Sequence, residues 1–229
     1  MFNYSKQTKE LEIMNKKFLY AGIFLTGFAT WTWTLLTIDI AQIGPLESAV
    51  GLSTLNQVFH DFTGVHMELY RITDLLSILP IGIVMFFGAL GLTQWFCRKK
   101  IVLVDFDILV LGGFYAVVAA LFVFFEIFVV NYRPVLIEDI LEASYPSSTT
   151  MLVMCVMPTA MMQANWRMKN SVVKDTLICL MGCFTIFMVL ARMISGVHWL
   201  TDILGGALLS AGLVILYDAV CSFYKKSSL

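Results

Sequence analysis

The run FLYAGIFLTGFATWTWTLLTI, Phe18 to Ile38, carries no charge over 21 residues. As a helix rising 1.5 Å per residue it reaches about 31 Å, the thickness of a bilayer's hydrocarbon core. Lys16-Lys17 precede it, and it lacks a small-x-small cleavage site, so it reads as a span rather than a cleaved signal. Further apolar runs follow at Leu75–Phe96, at Ile108–Asn131 with Glu126 interrupting, and at about Ser148–Ala164. Two more lie at Thr176–Ile194 and at about Trp199–Val220, with Asp202 near the start of the last. Six spans of about 20 residues would use about 120 residues. That is close to the 59% of the 229 residues that are hydrophobic. The expected fold is an all-α membrane protein of six transmembrane helices, with residues 1–229 forming one membrane domain.

The balance of the chain excludes other classes. With 15 Lys+Arg, 16 Asp+Glu and a mean hydropathy of +0.83, a soluble fold could not cover its apolar surface. A net charge of −1 with no basic block argues against nucleic acid as a partner. The five cysteines, Cys97, Cys155, Cys179, Cys183 and Cys221, lie in or beside apolar segments, which speaks against a disulfide framework. Cys179 and Cys183 share a helix face, but no nearby His or Cys completes a metal set, so plain packing accounts for them. No metal and no cofactor is expected.

Lys and Arg orient the spans. With the N-terminus inside, the inner segments hold Lys6, Lys9, Lys16, Lys17, Arg98, Lys99, Lys100, Arg167, Lys169, Lys174, Lys225 and Lys226, twelve of the fifteen. The outer side keeps Arg71, Arg133 and Arg192. This positive-inside asymmetry predicts that both termini are cytoplasmic. A basic-inside chain with no eukaryotic targeting signal suits a bacterial plasma membrane. Arg133 and Arg192 oppose the rule at the edges of apolar spans, where a charge marks a candidate functional site. His60, His66 and His198 also fall on the outer side, so any chemistry should be extracytoplasmic.

Residues 39–74 form the long outer connection between the first two spans. Leu55, Val58, Phe59 and Phe62 recur at helical spacing before Thr63-Gly64, which predicts a short amphipathic helix in the headgroup layer. His60 and His66 then read as interfacial side chains, with recruitment as a proton donor the alternative.

Three short stretches converge on the outer ends of spans three to six. In Asn131-Tyr132-Arg133-Pro134, the proline is expected to stop the third helix and leave Arg133 at its end. Tyr145-Pro146-Ser147-Ser148-Thr149-Thr150 opens the fourth span with ordinary capping residues. The free N–H groups, hydroxyls and helix dipole there also suit an anion. In the stretch Ala191 to Asp202, Ser195-Gly196 ends the fifth helix, and His198 and Asp202 sit one turn apart. A carboxylate accepting one imidazole N–H would make His198 a nucleophile or base, and a His–Asp helix cap is the plain alternative. Together, two arginines, a donor-rich helix start and an oriented histidine describe a phosphoryl site needing no metal.

The order Arg-Pro, Pro-Ser-x-x, then Arg-x5-His-x3-Asp resembles the type-2 phosphatidic acid phosphatase family of membrane enzymes. The likeness runs over 126–202, and Arg192, His198 and Asp202 carry its most specific part. The resemblance implies that His198 forms a phosphohistidine and that Asp202 orients it. It also implies that Arg133 and Arg192 hold phosphate, together with Ser147 and the helix start around Ser148. The implied substrates and partners are membrane lipid phosphates or diphosphates, including phosphatidate and polyprenyl diphosphates.

Three positions depart from that pattern. Glu126 stands where the family has Lys, and Ala191 where it usually has Ser. Thr149 replaces the histidine that protonates the leaving group. General-acid catalysis is worth roughly 10²–10⁴-fold, so the loss should fall hardest on alcohol leaving groups and least on a phosphate leaving group. The sequence therefore supports a metal-independent lipid phosphatase with reduced turnover, or a pseudo-phosphatase that binds lipid phosphate without cleaving it. A transporter fits less well, because the polar residues gather at one face rather than at the midplane.

Overall fold

The computed structural model describes residues 2–227, with side chains from 11 to 224. The side chains of Lys6, Lys9, Lys225 and Lys226, counted above for orientation, lie outside the described residues. Eight α-helices make up the fold: α1 (Phe2–Thr37), α2 (Ser53–Thr63), α3 (Met67–Leu76), α4 (Ile78–Arg98), α5 (Phe106–Ile127), α6 (Ser148–Arg167), α7 (Val172–Ile194) and α8 (Leu200–Ser227). Among the described residues there are no strands, only isolated bridges such as Tyr132 with Ala143.

Five stretches are long and apolar enough to cross a membrane: Leu11–Thr37, Met67–Arg98, Phe106–Ile127, Val172–Ile194 and Leu200–Tyr224. Met85, Phe96 and Leu180 stand exposed on them, as apolar side chains do where lipid rather than water is the solvent. The chain is a multi-pass membrane protein. The expected fourth span falls on α6, which is not among these five; it is less apolar than the others because it runs through the interior of the bundle. Thr149, Thr150, Thr159 and Gln163 are all buried there, with Gln163 donating to Tyr217 Oη at 2.6 Å. A helix wrapped by protein can satisfy such groups and needs no lipid-compatible surface.

Several boundaries differ from expectation. Leu75 and Leu76 belong to α3, so the second apolar stretch begins at Met67 and continues past Ser77 into α4. Residues 39–74 accordingly hold the amphipathic α2 and then most of α3, with which the second apolar stretch begins, rather than one helix. α5 ends at Ile127, with Phe128 leaving helical geometry, so Pro134 does not terminate it. Residues 131–144 instead fold back on themselves, with Arg133 N–H donating to Glu142 O and Ser144 N–H to Asn131 O. Those pairings satisfy the backbone that a longer helix would have satisfied.

At the basic end, Asp105 just before α5 accepts hydrogen bonds from Arg98 of α4 at 2.7 Å and from Arg167 of α6 at 2.9 Å. Arg167 also reaches Asp107 at 2.7 Å, and these partners hold the Asp105 carboxyl down at about 2. At the opposite end, Ser147 N–H at the start of α6 donates to Asp202 O in α8. α6 therefore runs between the same two levels as its neighbours.

Tyr145 locks that second end. Its ring is buried, stacks on Phe28 and meets Phe125 edge-on, and its hydroxyl lies 2.7 Å from Thr32 Oγ1. A Cβ at Gly205 would come within 2.4 Å of that ring, so this close approach to α8 requires glycine.

Candidate active site

The third motif is shaped by the turn between α7 and α8. α7 ends at Ile194, and Gly196 takes φ +69. A Cβ there would lie 2.0 Å from Gly64 O, while His66 N–H donates to Ser195 O. The outer connection is thus pinned to the turn that presents His198, which is buried just before α8. His66 Nε2 lies 2.9 Å from Thr63 O, and the half-buried His60 ring packs on Trp199 at 5.4 Å.

The link between His198 and Asp202 is indirect. Asp202 Oδ2 lies 4.0 Å from His198 Nδ1, too far for a hydrogen bond. Ser144 fills the gap: its Oγ donates to Asp202 Oδ2 at 2.5 Å and sits 2.9 Å from His198 Nδ1. Because the hydroxyl proton goes to the carboxylate, Oγ accepts from the ring, which fixes the proton on Nδ1 and leaves Nε2 with its lone pair. Asp202 is held further by Asn131 Nδ2 at 3.1 Å and Trp199 N–H at 3.0 Å. Asn131 in turn accepts from Gly51 N–H, tying the carboxylate to the outer connection. Sequence reasoning missed Ser144 and Asn131. Both stand beside the motifs, but nothing in the spacing marks a bridging hydroxyl.

The two arginines both approach the ring of Tyr70 in α3, a residue that no motif singled out. Its ring lies 4.5 Å from the Arg192 guanidinium carbon and 5.7 Å from that of Arg133. Arg192 is 1% exposed and donates from Nη1 to Tyr70 O and Thr73 Oγ1, with Asp74 at 3.7 Å from Nη2. Arg133 pairs with Glu142 at 3.0 Å through Nε. Glu126 makes no ion pair among the described residues; it lines a narrow cleft with Ser144, Tyr145 and Ser148. Arg133 has Glu142 as its partner instead, because the folded-back loop carries Glu142 to the arginine.

Ser147 caps α6, accepting from the Thr150 hydroxyl at 3.1 Å. Ser148 and the buried Thr149 face a cavity of about 390 Å³ that also touches Asp74 and Ser77. Ala191 is buried beside Arg192.

Among the described residues five buried nitrogens have no hydrogen-bond partner: His60 Nε2 and, grouped at the site, Arg133 Nε and Nη1, Arg192 Nε and His198 Nε2, with Arg133 Nε in the ion pair to Glu142. Burial, then the charges of Arg133 and Arg192, push the imidazole pKa well below its usual value, so the ring is neutral. Unpaired buried donors are costly, and a cluster of them beside an unprotonated nitrogen is chemically suited to an anion with an electrophilic centre.

A profile of the PAP2 superfamily matches residues 82–225, covering α4 to α8 and every motif above. The chain belongs to the PAP2 superfamily. No curated relative matches it in sequence. In fold it is similar to the crystal structure of a transmembrane PAP2-type phosphatidylglycerolphosphate phosphatase from Bacillus subtilis. The TM-score is 0.63 at 18% identity, covering 90% of this chain and 96% of that one. As a PAP2 member the chain is a phosphatase-like membrane protein, and the outer connection ahead of residue 82, which supplies Tyr70 and Gly64, lies outside the matched region.

Proposed function

We propose that the protein is a metal-independent phosphatase of lipid phosphates or polyprenyl diphosphates, working at the outer face of a plasma membrane, bacterial in type. The observation that carries this reading is the cluster of unpartnered buried nitrogens that includes Arg133 Nη1, Arg192 Nε and His198 Nε2. α6 is read as the sixth crossing, because its ends lie at the levels of its neighbours' ends; both termini then fall on the basic, cytoplasmic side. Residues 1–229 form one membrane domain on this reading.

The chemistry follows from the hydrogen bonds. The arginines hold the phosphoryl oxygens, assisted by the α6 start at Ser147 and Ser148. His198 Nε2 attacks phosphorus, and the bond to the leaving oxygen breaks with its electron pair. Charge developing on the ring is stabilised through Nδ1–H, Ser144 and Asp202. Water then attacks the phosphohistidine, releasing inorganic phosphate and the free imidazole. Thr149 cannot protonate the leaving oxygen at ordinary pH, so a phosphate leaving group is favoured over an alkoxide.

Thr149 also supports a second reading, a binder that holds lipid phosphate without turnover. Phosphate release by purified protein without added metal, from phosphatidate and from a polyprenyl diphosphate, separates the two. Release abolished by His198→Ala is expected; silence in the parent with undiminished lipid binding would establish the binder.

A further inference from the structure

In the proposed hydrolysis, the water that attacks the phosphohistidine must lose a proton, and His198 cannot take it. While the phosphoryl group sits on Nε2, Nδ1 already carries the proton that Ser144 accepts, so both ring nitrogens are occupied. Ser148 and Thr149 offer only hydroxyls, which are too weakly basic. Of the carboxylates around the site, Asp202 is held by Ser144, Asn131 and Trp199 N–H, and Glu142 pairs with Arg133. Glu126 lines the narrow cleft by Tyr145 and, among the described residues, pairs with neither arginine. Asp74 is left. Tyr70, Thr73 and Asp74 stand at i, i+3 and i+4 on one face of α3, and all three meet Arg192. The first two hold Nη1, which leaves the Nε–Nη2 edge of the fork open to an anion, with Nε buried and unpartnered. Asp74 Oδ1 stands at that edge, 3.7 Å from Nη2 and beyond hydrogen-bond reach.

We propose that Asp74 is the general base of the second half-reaction, an inference that rests on the functional reading above. A phosphoryl group held on the Nε–Nη2 edge places an oxygen about 2.8 Å from Nη2, which leaves one water to bridge phosphorus and Asp74. The cavity of about 390 Å³ that Asp74 lines together with Ser148 and Thr149 has room for that water. The carboxylate takes a proton as the water oxygen bonds to phosphorus. The phosphorus–Nε2 bond breaks, and its electron pair returns to the ring, which leaves as neutral imidazole still protonated at Nδ1. The side chain of Asp74 is 63% exposed, so the acquired proton passes on to bulk water. That exposure also makes a plain ion pair with Arg192 a weak reason for the carboxylate to be there.

The test follows the label from farnesyl diphosphate carrying a radioactive terminal phosphorus, with full-length protein in detergent and an alkaline quench, because the phosphorus–nitrogen bond is acid-labile. In Asp74→Asn the label should load onto His198 at the parent's rate, which also reports a folded site. It should then leave roughly 10²–10⁴-fold more slowly, so that phosphohistidine accumulates. Formate, a small carboxylate able to enter the vacated space, should restore release in Asp74→Ala and leave the parent unchanged. Hydrolysis at the parent's rate in Asp74→Asn would overturn the assignment. Loading that falls together with hydrolysis in both variants would also overturn it, and would make Asp74 a positioning residue for Arg192. A parent that neither loads label nor releases phosphate, and so matches His198→Ala, would retire the hydrolase and the assignment with it. Loading and release in the parent that ignore Asp74 would retire the assignment alone.

Discussion

Ser144 Oγ stands between His198 Nδ1, at 2.9 Å, and Asp202 Oδ2, at 2.5 Å, and so joins two groups that do not touch. The hydroxyl sets the ring tautomer and, on the proposed mechanism, passes the carboxylate's influence to the nucleophile. Ser144→Ala should therefore reduce phosphate release by about 10–100-fold, the usual effect of losing a group that orients a reactive one. Asp202→Asn should cost more, because it also disturbs the Trp199 and Asn131 hydrogen bonds. Steady-state release at fixed pH ranks the two variants; equal activity of Ser144→Ala and the parent would remove Ser144 from the chemistry.

Thr149→His restores a group able to protonate the leaving oxygen. Turnover should rise by roughly 10²–10⁴-fold with a monoester such as phosphatidate and much less with a diphosphate. Parallel assays of both substrates measure the difference, and an equal gain on both would break the link to the leaving group.

Glu142 occupies part of the Arg133 fork, pairing with its Nε at 3.0 Å. With the pair partly solvent-exposed, its worth is about 0.5–1 kcal/mol. Glu142→Gln should thus lower KM about two- to fivefold with little change in kcat. A KM that rises instead would mean that Glu142 orients Arg133 rather than competing with phosphate.

Burial, Arg133 and Arg192 depress the pKa of His198. On the proposed mechanism the neutral ring is the nucleophile, so activity is expected above the depressed pKa and should be lost only as pH falls through it. Turnover should therefore persist through pH 6.5, where an ordinary histidine would be half-protonated. Removing a cation in Arg192→Gln should raise the pKa and move the acid limb of the rate profile to higher pH. A limb that stays put would detach it from His198.

Gly196→Ala places a Cβ against Gly64 O and a side chain at φ +69. The expected loss is about 1–3 kcal/mol, seen as earlier thermal unfolding in detergent. Gly64→Ala, also at positive φ but with open space for its Cβ, should cost less. The reverse order would argue against the close packing of these two turns.

Legibility in the sequence followed the range of the interactions. The apolar runs that became α1, α4, α5, α7 and α8 were readable because hydrophobicity and length decide a lipid-facing helix locally. Arg192, His198 and Asp202 were readable because they share one helix–turn–helix. α6 was weaker, since its polar residues make sense only inside a bundle. The fold-back of residues 131–144 was hidden, because Pro134 looked like a helix stop while cross-loop pairing had already ended α5 at Ile127. Tyr70 was hidden for the same reason: its relation to two arginines, each more than sixty residues away along the chain, has no trace in local spacing.

The placement of Tyr70 bears on how the protein is made. Its ring belongs to a segment synthesised early, and it separates two guanidinium groups that emerge from the ribosome much later. Asp202, inside the last helix, then anchors the start of α6 and the loop before it. Until α8 has been made, the start of α6 and the loop before it lack that anchor. On the proposed function, the phosphate site is therefore complete only once α8, which carries Asp202, has joined the bundle.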